Sequence, residues 1–351
     1  MFINVAQNRK WEINTPQIMG IINITHDSFY ENSRAKSIAG LLVKATQMIA
    51  EGAQILDIGA QSTRPGAEII NDLGGLHRFM NWDKVILTDS GGFQGWSLPT
   101  KKVDTGIQFK NVYDGSRFLM TPELSIKTQN LLGSDIAMIF DYVVDIDANN
   151  YLQNEAIQTT EHWAKIAKQV HNNNNQALFG IVQGGLVEEY REKSALSMVN
   201  LDFDGYAIGG LALGESREER KSIVNFTTDF LPLDKPRYVM GLGDTLGLID
   251  LISEGIDMFD CVWPARLARH GKLITGNTYI NIKNQKFASD PRPIDDYCPC
   301  FTCKNYSRAF LKHLLKNEQT TAWLYLTIHN LPQFQIKFQL HTFLNLIVVI
   351  I

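Results

Sequence analysis

Eight apolar runs, each ending in a polar or glycine-rich turn, set the fold of this 351-residue chain. They are Gln17–Ile24, Gln54–Ile58, Val85–Thr88, Ile136–Phe140, Ala177–Val182, Gly205–Ile208, Arg237–Met240 and Met258–Val262. Amphipathic stretches lie between them, at Ser37–Glu51, Thr121–Leu132, Tyr151–Asn172, Leu186–Asn200, Arg217–Leu231 and Thr245–Glu254. Eight strands with intervening helices are the tally of an α/β chain folded as a (β/α)8 TIM barrel. An open doubly wound sheet would favour a glycine-rich dinucleotide turn after its first strand. Asn23-Ile24-Thr25-His26-Asp27 does not supply one.

The second constraint is the spacing Cys298-x-Cys300-x2-Cys303, with His329 after 25 further residues. It uses three of the four cysteines, and three thiolates with one imidazole close a tetrahedral zinc shell. A closed shell leaves no coordination site for substrate, so one Zn2+ is expected to hold structure, in a small subdomain near the C-terminus. Cys261 reads as a small buried hydrophobe. Few cysteines and a metal-like cluster suit a reducing cytoplasm.

Length accommodates one large barrel with a small appended module, and 44% hydrophobic with 20% charged residues is ordinary for a soluble enzyme. Met1-Phe2-Ile3-Asn4 does not open a secretory leader, and the apolar tail Phe343–Ile351 is too short to span a bilayer. That tail reads as a strand or a buried segment. The net charge of −4 hides a gradient. Between Pro264 and Lys316 stand ten Lys/Arg against three Asp, +7, which leaves −11 elsewhere. A basic block around a zinc knuckle on an acidic body describes a local phosphate-binding surface; the bland reading is a solvated charged face.

Polar residues fall directly after the strands, where barrel active sites assemble: Asn23, Asp57, Asp89, Asp141, Gln183, Gly209-Gly210, Gly241 and Asp260. The runs around them are Leu87-Thr88-Asp89-Ser90-Gly91-Gly92-Phe93-Gln94, Phe140-Asp141, Gly180-Ile181-Val182-Gln183-Gly184-Gly185, Ala207–Glu215 and Met258–Arg266. In this order, and with the zinc spacing, they closely resemble the tRNA-guanine transglycosylase (queuine tRNA-ribosyltransferase) family from about Arg64 to Leu331.

The resemblance implies a pentosyltransferase that exchanges a base at the tRNA wobble position through a covalent enzyme–ribose intermediate. By that likeness Asp260 is the nucleophile and Asp89 the general acid/base. Ser90, Gly91, Gly92, Phe93, Asp141, Gln183, Gly210 and Met240 would form the base pocket. Asp141 would accept from two donors of a guanine-like ring. Tyr238 suits either stacking on the base or core packing. RNA contacts would come from Gly241, Leu242, Gly243, Asp244 and Thr245, and from Ala265, Arg266, Leu267, Ala268 and Arg269. Cys298, Cys300, Cys303 and His329 would be the zinc ligands. Leu213 stands at the pocket-size position and favours the small precursor preQ1 over queuine. Implied partners are tRNA, a small 7-deazaguanine base and a second copy in a homodimer, with no membrane.

The opening segment carries a different likeness. Ile18–Phe29 and Glu51–Ala67 resemble dihydropteroate synthase, and the two likenesses meet at Arg64-Pro65-Gly66-Ala67. The expected organisation is a fragment over 1–67 completing the barrel, a transglycosylase core over 68–275, and a zinc-binding subdomain with C-terminal segment over 276–351. Two departures accompany it: Tyr142-Val143 stands where bacterial members carry Glu-Cys, and Asp57–Ser62 occupies a rim the family fills with Asn-Thr-Tyr-His-Leu. Two other classes remain: a catalytically impaired tRNA-binding partner subunit, and a folate enzyme using Asn23 and Ser62-Thr63-Arg64.

Overall fold

The computed structural model describes the backbone of residues 2–5, 9–12, 17–24, 55–60, 70–110, 115–276, 278–339 and 347–350. Side chains are described from residue 70 to residue 333, except at 111–114, 245, 261 and 277. The expected helix Ser37–Glu51, the Ser62-Thr63-Arg64 run and the junction Arg64–Ala67 lie outside the described residues.

Parallel strands close into a barrel. In chain order they are β1 Gln17–Ile24, β2 Ile55–Ala60, β3 Val85–Thr88, β4 Ile136–Met138, β5 Ala177–Val182, β6 Gly205–Ile208, β7 Arg237–Val239, β8 Met258–Cys261 and β9 Ile347–Ile350. The first eight are the expected strands. The ninth comes from the apolar tail and lies between β8 and β1, with Ile347 opposite Met258 on one side and Gln17 on the other. Strands β3 to β7 are buried along their whole length, because helices cover the outside while side chains fill the lumen. That is why they read as unbroken apolar runs rather than alternating ones.

The lower rim is held by three aspartates that each stand one residue before a strand. The Oδ2 of Asp135, Asp204 and Asp257 accepts from the amide of Ile86, Leu178 and Arg237, at 2.8, 2.8 and 2.9 Å. The amide of each aspartate in turn donates to the carbonyl of the same residue. Every second strand is thereby clamped to its predecessor in register. Helix starts follow local chemistry too. Thr121 caps Pro122–Leu132 with proline at its first position, Asn149 caps Asn150–Val170, and Ser216 with Glu219 forms a capping box for Arg217–Thr228.

An antiparallel hairpin, Phe2–Val5 with Arg9–Glu12, precedes β1, and two larger additions also sit outside the barrel. A three-stranded antiparallel sheet, Thr100–Val103, Gly106–Lys110 and Arg117–Met120, follows β3 and buries Ile107 and Met120 with Phe140 and Trp163. The strand readings did not include it. A second module runs from the hairpin Lys272–Thr275/Thr278–Asn281 through the helices Phe301–Asn305, Arg308–Asn317 and Gln319–Gln339. It has its own core, which includes Leu273, Ile282, Phe287, Leu311 and Leu326.

Asp135 is fully buried. Asp135→Ala leaves the Ile86 amide without its acceptor, and the cost is expected to be about 1–3 kcal/mol in chemical denaturation. An unchanged midpoint would show that the lower-rim clamp carries no stability.

Candidate active site and metal centre

The site is built where the strands end. At the close of β3 the Thr88 hydroxyl lies 2.9 Å from Gln129 Oε1 and 2.8 Å from Ser134 Oγ, while Gln129 bonds both the amide and the carbonyl of Met138 on β4. This buried network fixes the neighbouring ends of β3 and β4. Asp89 follows, half-buried, with its Oδ1 accepting the Ser90 amide at 2.8 Å. The chain then turns at Gly91 with φ of 93°, a left-handed angle that glycine adopts without strain. At Gly92 a Cβ would come within 1.8 Å of Asp141 Oδ1, so only glycine admits the Asp141 carboxylate there.

Asp141 is 5% exposed and accepts from Gln183 Nε2 at 2.6 Å. Gly209 closes the other side, its Cβ direction 3.0 Å from Gln183 Nε2 and 3.7 Å from Asp141 Oδ2. Gly210 takes φ of 64° against Gln183 Oε1. The loops after β3, β5 and β6 and the Phe140-Asp141 run beyond β4 therefore meet around one carboxylate–amide pair. Fully buried Arg191 locks two of these loops, donating to the carbonyls of Val182, Gly185 and Gly209 at 3.1, 2.8 and 2.9 Å.

Asp260 lies at the end of β8. Its Oδ1 accepts the Tyr238 hydroxyl at 2.8 Å and the Gly241 amide. Tyr238 is thus a holder of the nucleophile candidate, and its ring is buried, which decides against stacking on a base. Sequence reasoning missed this role, since a strand tyrosine gives no sign of what its hydroxyl meets. Ser90 and Gly92 are buried, Met240 is half-buried against the core, and Phe93 is 49% exposed and tilted against Trp96.

Three carboxylates share this mouth, and their protonation follows. Burial pushes Asp260 up to about 6, with the charge of Asp89 adding to it and the Gly241 and Tyr238 bonds pulling back. Burial pushes Asp141 up to about 7, again reinforced by Asp89. Burial also raises Asp89, against the Ser90 and Gly91 amides. One group, Asp89, therefore faces both others electrostatically. Separated environments of this kind suit an acid, a base and a nucleophile in one site.

The expected RNA residues divide. Gly241 and Arg266 are exposed, and Asp244 and Arg269 half-buried. Leu242, Ala265, Leu267 and Ala268 are buried, with Ala268 inaccessible. The side chains of these four pack inward around the helix Trp263–Arg269 and its neighbours. The side chain of Thr245 lies outside the described residues. Arg266, Arg269, His270, Lys283 and Trp323 line a cavity of about 410 Å³ between this helix and the small module.

Cys298, Cys300, Cys303 and His329 come together as read, their ligand atoms all within 4.8 Å of one another. His329 Nε2 lies 2.7 Å from the Ile274 carbonyl, so this nitrogen carries the proton and Nδ1 faces the sulfurs, 3.2 Å from Cys303 and 3.7 Å from Cys300. Three thiolates and an oriented imidazole fit one structural zinc. Adjacent Asn330, also fully buried, accepts the Ile274 amide at 3.0 Å and donates to the carbonyls of Pro264 and Lys272 at 3.0 Å each.

A parallel barrel with three carboxylates at its mouth and a Cys3His module fitted to one structural zinc defines a zinc-bearing barrel enzyme. The chain belongs to the queuine tRNA-ribosyltransferase family, whose family model matches residues 7–339. It is 47% identical over 271 residues to a queuine tRNA-ribosyltransferase of Listeria welshimeri, covering 76% of this chain and 72% of the relative. A Bacillus subtilis relative of the same name is 42% identical over 323 residues, covering 89% and 84%. The Caldanaerobacter subterraneus protein is 48% identical over 271 residues, covering 76% and 72%. The family match thus runs through residues 7–67 as well, the stretch expected to be a dihydropteroate-synthase-like fragment.

Chelation of zinc from the folded protein is expected to strip hydrogen-exchange protection from residues 273–274 and 326–330 before the strands β3 to β6. Simultaneous loss in both regions would mean that the module and the barrel unfold as one unit.

Proposed function

We propose that the chain is a tRNA-guanine transglycosylase of queuosine biosynthesis, replacing guanine 34 in GUN-anticodon tRNAs with a 7-deazaguanine. The observation that carries this is the meeting of Asp89, Asp141 and Asp260 with Gln183 and Gly210 at one barrel mouth. Asp260, held by Tyr238 and Gly241, attacks C1′ of the ribose as the bond from C1′ to the guanine nitrogen breaks. Asp89, whose burial favours its protonated form, gives its proton to the departing base. The incoming base then loses a proton to Asp89, attacks C1′ and releases Asp260. Atoms and charge balance without nucleotide triphosphate or redox cofactor.

Asp141 takes the ring N–H and exocyclic amine of the base, and the half-buried Leu213 narrows the pocket in favour of preQ1 over queuine. Arg266 and Arg269 hold backbone phosphates. The strongly exposed Tyr297, Phe301 and Phe310 on the small module support a homodimer. We read residues 1–67 as a dihydropteroate-synthase-like unit completing the barrel, 68–275 as the transglycosylase core and 276–351 as the zinc-binding and C-terminal segment. Among the described residues no helix is long and apolar enough to cross a membrane.

Labelled guanine is expected to enter a tRNA with a GUN anticodon, and Asp260→Asn to abolish that entry. Tight RNA binding without exchange would instead favour a partner subunit. The exchange rate is expected to fall about tenfold per pH unit below about 6, because protonation of Asp260 removes the nucleophile. Tyr238→Phe removes a bond to the charged form and should move that limb to higher pH. PreQ1 is expected to outcompete queuine, and equal incorporation would remove Leu213 from the specificity argument.

A further inference from the structure

The loop Gly209–Glu215 touches the base pocket, and the loop Gly241–Asp244 touches the nucleophile. The side chains of Glu215 and Arg220 link these two loops. Glu215 begins the connection. Its side chain is inaccessible, and its two oxygens accept the amides of Ala212 and Leu213 at 2.8 and 3.0 Å. Ala212 sits at φ of 60°, a left-handed angle that costs a residue bearing a Cβ. The Glu215 carboxylate therefore holds the loop in a conformation that it would otherwise leave.

Arg220 completes the path. The capping box of Ser216 and Glu219 fixes the start of the helix Arg217–Thr228 and so places Arg220 one turn in. Its Nε lies 2.5 Å from Glu215 Oε1, and its Nη1 lies 3.5 Å from Asp244 Oδ2. Asp244 caps the next helix through its other oxygen, accepting the Gly247 amide at 2.7 Å. Three residues earlier in the same loop, the Gly241 amide bonds Asp260. With only 12% of its side chain exposed, Arg220 has little freedom to serve any other partner.

We propose that Arg220 is a positioning residue that braces the base-binding loop against the loop holding the nucleophile, so that an occupied base pocket and an aligned Asp260 go together. This rests on the base-exchange reading. A fork of guanidinium donors suits the task, since one planar group serves two carboxylates on different loops. The brace touches no reacting atom. Its loss is therefore expected to appear as a lower turnover and a weaker grip on the base, with the fold retained.

The test uses the full-length, zinc-loaded protein with tRNA and labelled guanine. Arg220→Gln and Asp244→Asn are each expected to raise KM for guanine about fivefold and lower kcat about tenfold, the scale of a modest misplacement. Asp244→Asn keeps an oxygen for the Gly247 cap and so serves even where Arg220→Gln destabilises the loop. The double variant is expected to be no worse than the poorer single one, because both break the same link. Arg220→Lys should recover part of the loss. Additive effects in the double variant, or wild-type kcat and KM in both singles, would overturn the brace while leaving the base-exchange reading intact. Failure of the wild-type protein to exchange guanine would sink that reading and the brace with it.

Discussion

The segment after β8 hangs from two adjacent residues on one helix. His329 faces the three cysteine sulfurs through Nδ1 and holds the Ile274 carbonyl through Nε2. Asn330 ties the Ile274 amide and the carbonyls of Lys272 and Pro264. Pro264 opens the helix that carries Arg266 and Arg269, four residues beyond Asp260. Ordering the metal shell thus orders the basic helix beside the active site through a short run of buried hydrogen bonds. A zinc with no open coordination position would in this way fix where the polypeptide goes after Asp260, the proposed nucleophile.

Aspartates at the two rims of the barrel do opposite jobs with the same side chain. At the lower rim, Asp135, Asp204 and Asp257 meet backbone amides of the neighbouring strand and stabilise register. At the upper rim, Asp89, Asp141 and Asp260 meet one another's fields as well as donors. Burial raises all three, and the charge of Asp89 adds to the rise at Asp141 and Asp260. A raised carboxylate binds its proton more tightly folded than unfolded. Its contribution to stability is therefore present below about pH 4 and lost as pH rises through 6 to 7. At neutral pH the mouth is a strained arrangement of charge that the surrounding framework holds in place. The same burial raises Asp89 and lets Asp260 ionise near 6.

Much of this was legible in the sequence, for identifiable reasons. Parallel strands buried on both faces leave unbroken apolar runs, so β3 to β8 were found within two residues of their ends. The zinc shell was legible because few arrangements of cysteine and histidine satisfy a tetrahedral ion. What escaped was decided by contacts distant in sequence. Tyr238 reads as a core strand residue until its hydroxyl is seen on Asp260. Asp135 and Asp141 both border a strand, and nothing local says which one meets an amide and which one a ligand pocket. Ala265, Leu267 and Ala268 share a motif with Arg266 and Arg269, yet helical periodicity turns them inward. The antiparallel sheet after β3 was missed because its short strands Thr100–Val103 and Arg117–Met120 are half polar and exposed.

The C-terminal strand bears on the nucleophile more directly than its position in the chain suggests. An eight-stranded closure would set β8 against β1, whereas here Ile347–Ile350 stands between them, with Val349 in register with Asp260 on one side and Met19 on the other. An apolar four-residue segment with two free edges is a hazard for association between chains. Pairing on both edges removes that hazard and gives β8 a neighbour along its whole length. β8 is then flanked by β7, which supplies the Tyr238 hydroxyl to Asp260, and by β9, which pairs with it through the backbone. The hydrogen bonds that favour the charged form of Asp260 therefore come from the β7 side, where Tyr238, Gly241 and the loop linked to Arg220 all lie.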